Sequence, residues 1–140
     1  MNAARLSAII LATAGAYIAA YFTLVFYGYL NANTRLMPRV CRLEERTCQT
    51  VLGTKYAKVF GVPNSLLGVL YYLIVIAVLL TGWAIPALAF GLILVAWFTV
   101  ALGLYLIYAL FFIIRIPCPL CLTGHAINLG LAILLTAILL

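Results

Sequence analysis

Apolar residues run almost unbroken from Leu6 to Leu30, from Ser65 to about Leu80, from Ala87 to Ile114, and from about Pro119 to Leu140. Crossing a hydrocarbon layer about 30 Å thick takes about 20 helical residues, so the chain has room for four crossings, one connecting loop and little else. Only 7% of the residues are charged, against about 25% in a typical soluble domain, and a water-soluble fold is excluded. Backbone groups in lipid must be paired within the protein, and these runs lack the period-2 alternation of barrel strands. The sequence therefore predicts an all-α membrane protein, a four-transmembrane-helix bundle forming one domain over 1–140. Its helices are expected at about 6–30, 64–82, 87–114 and 119–140, with a loop at about 31–63. The first run is longer than the apolar core of a signal peptide and is read as a helix of the mature protein.

Eight of the ten charged residues fall between Asn31 and Pro63: Arg35, Arg39, Arg42, Glu44, Glu45, Arg46, Lys55 and Lys58. The second and third runs are joined by the uncharged turn Gly82-Trp83-Ala84-Ile85-Pro86, while Arg115, Pro117 and Pro119 separate the third run from the fourth. With an even number of crossings, the 31–63 loop and the 115–118 turn share one side of the membrane. The four cysteines, Cys41, Cys48, Cys118 and Cys121, then meet at one face, whichever way the bundle is inserted.

Cys41 and Cys48 are separated by six residues, and Cys118-Pro119-Leu120-Cys121 is a Cys-x-x-Cys motif at the start of the fourth helix. Proline suits the first helical position, which makes Cys118 the N-cap and puts Cys121 one turn in. The positive end of the helix dipole lowers a thiol pKa, and the two-residue spacing lets the thiols close a small ring, so the pair can cycle between dithiol and disulfide. The chemistry indicated is thiol–disulfide exchange. Two other readings are available. Both pairs can be structural staples, although a Cys-x-x-Cys closes too short a loop to stabilise much. Four thiolates can also hold a zinc ion, but the wider Cys41–Cys48 spacing and the hydrophobic helix start fit a closed metal site poorly.

The order of motifs is Cys41-x6-Cys48, then Pro63-Asn64-Ser65-Leu66-Leu67-Gly68 leading into Tyr71-Tyr72, then Cys118-Pro-Leu-Cys121 opening the last helix. This pattern resembles the vitamin K epoxide reductase family over almost the whole chain. The bacterial disulfide-bond protein B family also combines four helices, two cysteine pairs and a quinone, but its Cys-x-x-Cys precedes the wider pair. The resemblance implies a membrane thiol oxidoreductase that passes electrons from a thioredoxin-like protein to a quinone such as menaquinone or ubiquinone, generating protein disulfides. Cys41 and Cys48 would be the shuttle pair, Cys48 would attack Cys118, and Cys121 would face the quinone. Asn64 matches the family's hydrogen-bonding Asn, with Ser65 beside it. Four residues after Cys121, where vertebrate members have Tyr, this chain has His125, a departure that weighs against epoxide as the substrate. His125 shares a helix face with Cys121 and can donate to a quinone carbonyl or pass a proton. Asn64 also suits a plain helix cap, and His125 a buried packing position. Tyr71, Tyr72, Tyr105 and Tyr108 are expected to be core packing residues.

The expected partners are a separate thioredoxin-like thiol protein, a membrane quinone and the bilayer, with no metal and no nucleic acid. The alternative is a metal-binding or disulfide-stapled membrane protein without enzymatic activity. In the better-known members the cysteines face an oxidising compartment. Here Arg35, Arg39, Arg42, Arg46, Lys55, Lys58 and Arg115 lie on the cysteine side and only Arg5 on the other. The positive-inside rule therefore places the active face in the cytoplasm, as suits an organism with disulfide-rich intracellular proteins; the family's usual envelope-facing orientation is the alternative. A reporter fused after Leu140 should accordingly appear outside the cell. Labelling of a single loop cysteine by a membrane-impermeant maleimide in intact cells would reverse the assignment.

Overall fold

The computed structural model describes residues 3–26, 58–59, 62–82, 85–114 and 119–140. The described chain forms four helices, α1 (Ala3–Phe26), α2 (Asn64–Thr81), α3 (Pro86–Tyr108) and α4 (Pro119–Leu139). Just before α2, a small antiparallel pair of strands, β1 (Lys58–Val59) and β2 (Val62–Pro63), sets Lys58 opposite Pro63 and Val59 opposite Val62. Three segments are long and apolar enough to cross a membrane: Ala3–Leu24, Pro86–Tyr108 and Leu122–Leu139. The apolar part of α2, Ser65–Thr81, is shorter. At about 1.5 Å per residue its helix still rises about 27 Å, close to the thickness of the hydrocarbon layer.

Sequence patterning predicts α-helix through Ile114. Instead α3 passes after Tyr108 into a π-helical segment, Ala109–Ile114. The apolar run there gives hydropathy nothing with which to distinguish the two windings. Gly82 closes α2 in a left-handed conformation, φ +67°, and its N–H donates to the Val78 carbonyl at 3.0 Å. That is the ordinary role of a glycine past a helix C-terminus.

Helix α1 is central, packing along α2 on one side and α4 on another, while α3 packs along α4. Its inward face consists of Ala8, Ala12, Gly15 and Ala19, all buried. Small residues at this spacing let neighbouring backbones approach closely, which is how helices associate where no hydrophobic force separates them from lipid. Around this face pack Tyr71, Tyr72, Val75, Val78 and Leu79 of α2 and Ile127, Leu131, Ala132 and Leu135 of α4. Large apolar side chains such as Ile10, Leu73, Phe90, Phe98, Leu104 and Ile133 are exposed, as lipid-facing positions should be.

Two contacts fix the direction of the helices. Arg5 near the start of α1 lies against Gly82 at the end of α2, and Thr23 near the end of α1 meets Ser65 at the start of α2. The segment between Phe26 and Lys58 and the segment between Ile114 and Pro119 are therefore both bounded by helix ends at one end of the bundle.

The closest approach is at Gly15, where a Cβ would stand 2.5, 2.6 and 2.9 Å from atoms of the Tyr72 ring. A rigid ring cannot yield as a flexible chain would. Gly15→Ala should destabilise the bundle by about 1–3 kcal/mol, the usual cost of overpacking, despite Ala's better helix propensity. Unfolding in detergent micelles measures it, and stabilisation would show that Tyr72 can move aside.

Candidate functional site

The cysteine end of the bundle holds the sequence-predicted site residues, with different degrees of definition. Cys41, Cys48 and Cys118 lie outside the described residues. Cys121 is the third residue of α4, and Asn64 is the first residue of α2; only their backbone positions are described. The start of each helix leaves N–H groups without intrahelical acceptors, so both residues stand where the backbone itself is a donor.

Ser65 joins α2 to α1. The Thr23 hydroxyl donates to the Ala19 carbonyl at 2.7 Å and lies 3.0 Å from Ser65 Oγ. A hydroxyl has one proton; with that of Thr23 on Ala19, Ser65 is the donor across the interface. Its hydroxyl proton thus serves helix pairing.

On α4, Cys121, His125, Asn128, Ala132 and Leu135 form one stripe at four- and three-residue steps, because such steps return to the same helix face. His125 is half-buried and packs on α3 at Gly103, where a Cβ would lie 2.8 Å from Nδ1 and 3.4 Å from Cγ. Glycine at 103 thus makes space for the imidazole ring between α3 and α4. His125 stands about 6 Å below Cys121 along the axis, and Asn128 about 10 Å below it.

At the Asn128 level a polar contact crosses the bundle. The Tyr72 hydroxyl donates to Asn128 Oδ1. Helices α2 and α4 have sparse backbone contact with each other, so the Tyr72 side chain reaches past α1, and the notch at Gly15 is its passage. Interhelical side-chain bonds in membranes average about 0.6 kcal/mol and reach about 1.7; the bond sets geometry more than it sets stability. The adjacent Tyr71 is also buried, its ring centroid 5.3 Å from that of Tyr72. Its hydroxyl makes no hydrogen bond of good geometry among the described residues. Thr99 of α3 is its polar neighbour, and the Thr99 proton goes to the Ala96 carbonyl at 2.6 Å.

The four tyrosines divide into two classes. Tyr71 and Tyr72 are core residues, as expected, but Tyr105 and Tyr108 are more than half exposed. They lie on the outward side of α3, with the Tyr108 ring against Phe112 of the π-helical segment. Their expected packing role is corrected: amphipathic rings are as stable at a lipid-facing surface as in a core. Asn128 carries the opposite lesson. No local pattern pairs it with Tyr72, 56 residues away; the available signal is a carboxamide inside an apolar span, on the helix face of Cys121.

A family model described as the vitamin K epoxide reductase family matches residues 6–136. The chain belongs to the vitamin K epoxide reductase family. A search of curated proteins found no match. Membership makes this protein an integral membrane oxidoreductase, and the family to which it belongs reduces quinones. The observed bundle suits that class: four helices, an apolar exterior, and a stripe of Cys, His and Asn descending α4 from the cysteine end.

Proposed function

We propose that this vitamin K epoxide reductase family member carries electrons from a separate thioredoxin-like protein to a membrane quinone through two cysteine pairs, leaving a disulfide in the protein partner. The observation that carries the reading is the coincidence at one end of the bundle: both cysteine-bearing segments are bounded by helix ends there, and Cys121 opens the α4 stripe that continues to His125.

The partner's dithiol reduces the Cys41–Cys48 disulfide by exchange. The Cys48 thiolate then attacks Cys118, forming a Cys48–Cys118 bond and releasing Cys121 as thiolate. Cys41 attacks Cys48, releasing Cys118. Cys118 and Cys121, now both reduced, pass two electrons and two protons to the quinone and close their own disulfide, giving a hydroquinone. Each exchange forms one S–S bond as it breaks another. The start of α4 assists, since its dipole favours the thiolates.

In this reading Asn64 and His125 hydrogen-bond the two quinone oxygens, and Ser65 holds the start of α2 in place beside Asn64. An apolar pocket with a few placed donors is the usual construction of such a site. The basic loop places the cysteine face on the cytoplasmic side, so that disulfides are made inside the cell.

Two measurements test the scheme on purified protein with a dithiol donor. Cys41→Ser should remove the resolving thiol and trap a Cys48–Cys118 disulfide, recovered as a linked peptide by mass spectrometry. Full activity in all four single cysteine variants would defeat the shuttle. His125→Ala should slow quinone reduction by about 10- to 100-fold, in the range of a lost general acid, while exchange between the two pairs persists. Equal quinone kinetics in His125→Ala and the unaltered protein would return His125 to a packing role.

A further inference from the structure

Most side-chain hydroxyls in the bundle satisfy themselves locally. Thr13, Thr81, Thr99 and Thr136 each donate to a backbone carbonyl three or four residues back, and the Trp97 indole N–H is taken by Thr136 at 3.0 Å. Asn128 differs. Its oxygen accepts from Tyr72, whereas its Nδ2 makes no hydrogen bond with any described residue. It is half-buried and shares its helix face with the fully buried Leu131, Ala132 and Leu135, so its remaining surface opens toward the interior of the bundle. A carboxamide N–H without an acceptor in an apolar medium is costly.

Tyr72 determines which half of the carboxamide is left over. Its ring is held against Gly15, and the hydroxyl at the end of that ring fixes Oδ1. The NH2 group is then presented as a pure donor, one helical turn below His125 on the stripe that begins at Cys121. Residues at this three-residue step have Cβ atoms about 5–6 Å apart, close enough for both side chains to reach one acceptor.

We infer that Asn128 is a further contact of the quinone headgroup, donating through Nδ2 to the deeper carbonyl oxygen alongside His125, and that Tyr72 is the positioning residue that orients it. The inference rests on the electron-transfer reading above and extends its site by one turn. The deeper oxygen has two lone pairs, and the two side chains would occupy one each. The para oxygens of a quinone ring stand roughly one helical pitch apart, about 5.4 Å, so a ring whose upper oxygen meets Asn64 brings its lower one to the His125–Asn128 level. Because Tyr72 occupies the only strong acceptor of the carboxamide, the site offers donors alone. It therefore favours the quinone, whose oxygens accept, over the hydroquinone, whose hydroxyls must also donate.

The test uses the full chain in detergent, with menadione as the quinone and dithiothreitol as the donor. Asn128→Asp keeps the shape and replaces the donor by an oxygen; Asn128→Leu removes all polarity. Both should raise the menadione KM about tenfold, the effect of losing one hydrogen bond, with a smaller change in kcat. Tyr72→Phe leaves the ring in the Gly15 notch but frees the carboxamide to turn, and should raise KM about threefold. Unchanged KM in folded Asn128→Asp and Asn128→Leu overturns the inference. Should neither variant fold, an unchanged KM in Tyr72→Phe overturns it. Unaltered protein that reduces no menadione would defeat the electron-transfer reading itself and this inference with it, whereas an active enzyme indifferent to Asn128 defeats this inference alone.

Discussion

Because lipid chains are as apolar as leucine, the four helices gain little by burying side chains against one another, and close fit must hold them together. The small-residue face of α1 supplies that fit. Ala8, Ala12, Gly15 and Ala19 allow α2 and α4 to approach the same helix from two sides. The passage of Tyr72 beside Gly15 depends on this, and through it so does the contact with Asn128. Backbone proximity at the middle of α1 is thus what lets a polar group on α2 govern one on α4.

The same logic explains how polarity is distributed. Threonine hydroxyls along the spans return their protons to the preceding turn of their own helix, which leaves the helix surface effectively apolar. The polar groups left to act between helices concentrate on α4 below Cys121, at His125 and Asn128, and at the Thr23–Ser65 contact near the cysteine end. An oxidoreductase that draws its acceptor from the bilayer needs this gradient: apolar outside, with donors confined to the interior face of one helix.

The number and order of the helices were legible in the sequence, because four apolar runs in 140 residues leave the chain no other way to pair its backbone in lipid. The family was legible in the order of motifs around the cysteines. What lay beyond reach was azimuth. A helix that is apolar all round does not announce its inward face, so hydropathy could not separate buried Tyr71 and Tyr72 from exposed Tyr105 and Tyr108. The glycine notches at Gly15 and Gly103 are defined by residues on other helices, and no local pattern contains them. The strands at Lys58–Val59 and Val62–Pro63 are too short for alternation to register. For Cys41, Cys48 and Cys118, the chemistry comes from the motifs and the family, since their geometry lies outside the described residues.

The π-helical segment Ala109–Ile114 bears on how chain length can vary in this fold. Hydrogen bonds spanning five residues instead of four accommodate an extra residue without adding a turn. Whatever follows is rotated by about 100°, the arc of one α-helical residue, relative to a continuous α-helix. Losing one residue here would restore uniform winding and swing the connection to α4 around the α3 axis, with both helix bodies intact. The azimuth at which the Cys118–Cys121 motif meets the bundle is thus tunable by a single codon, at a place where insertion or deletion cuts no span.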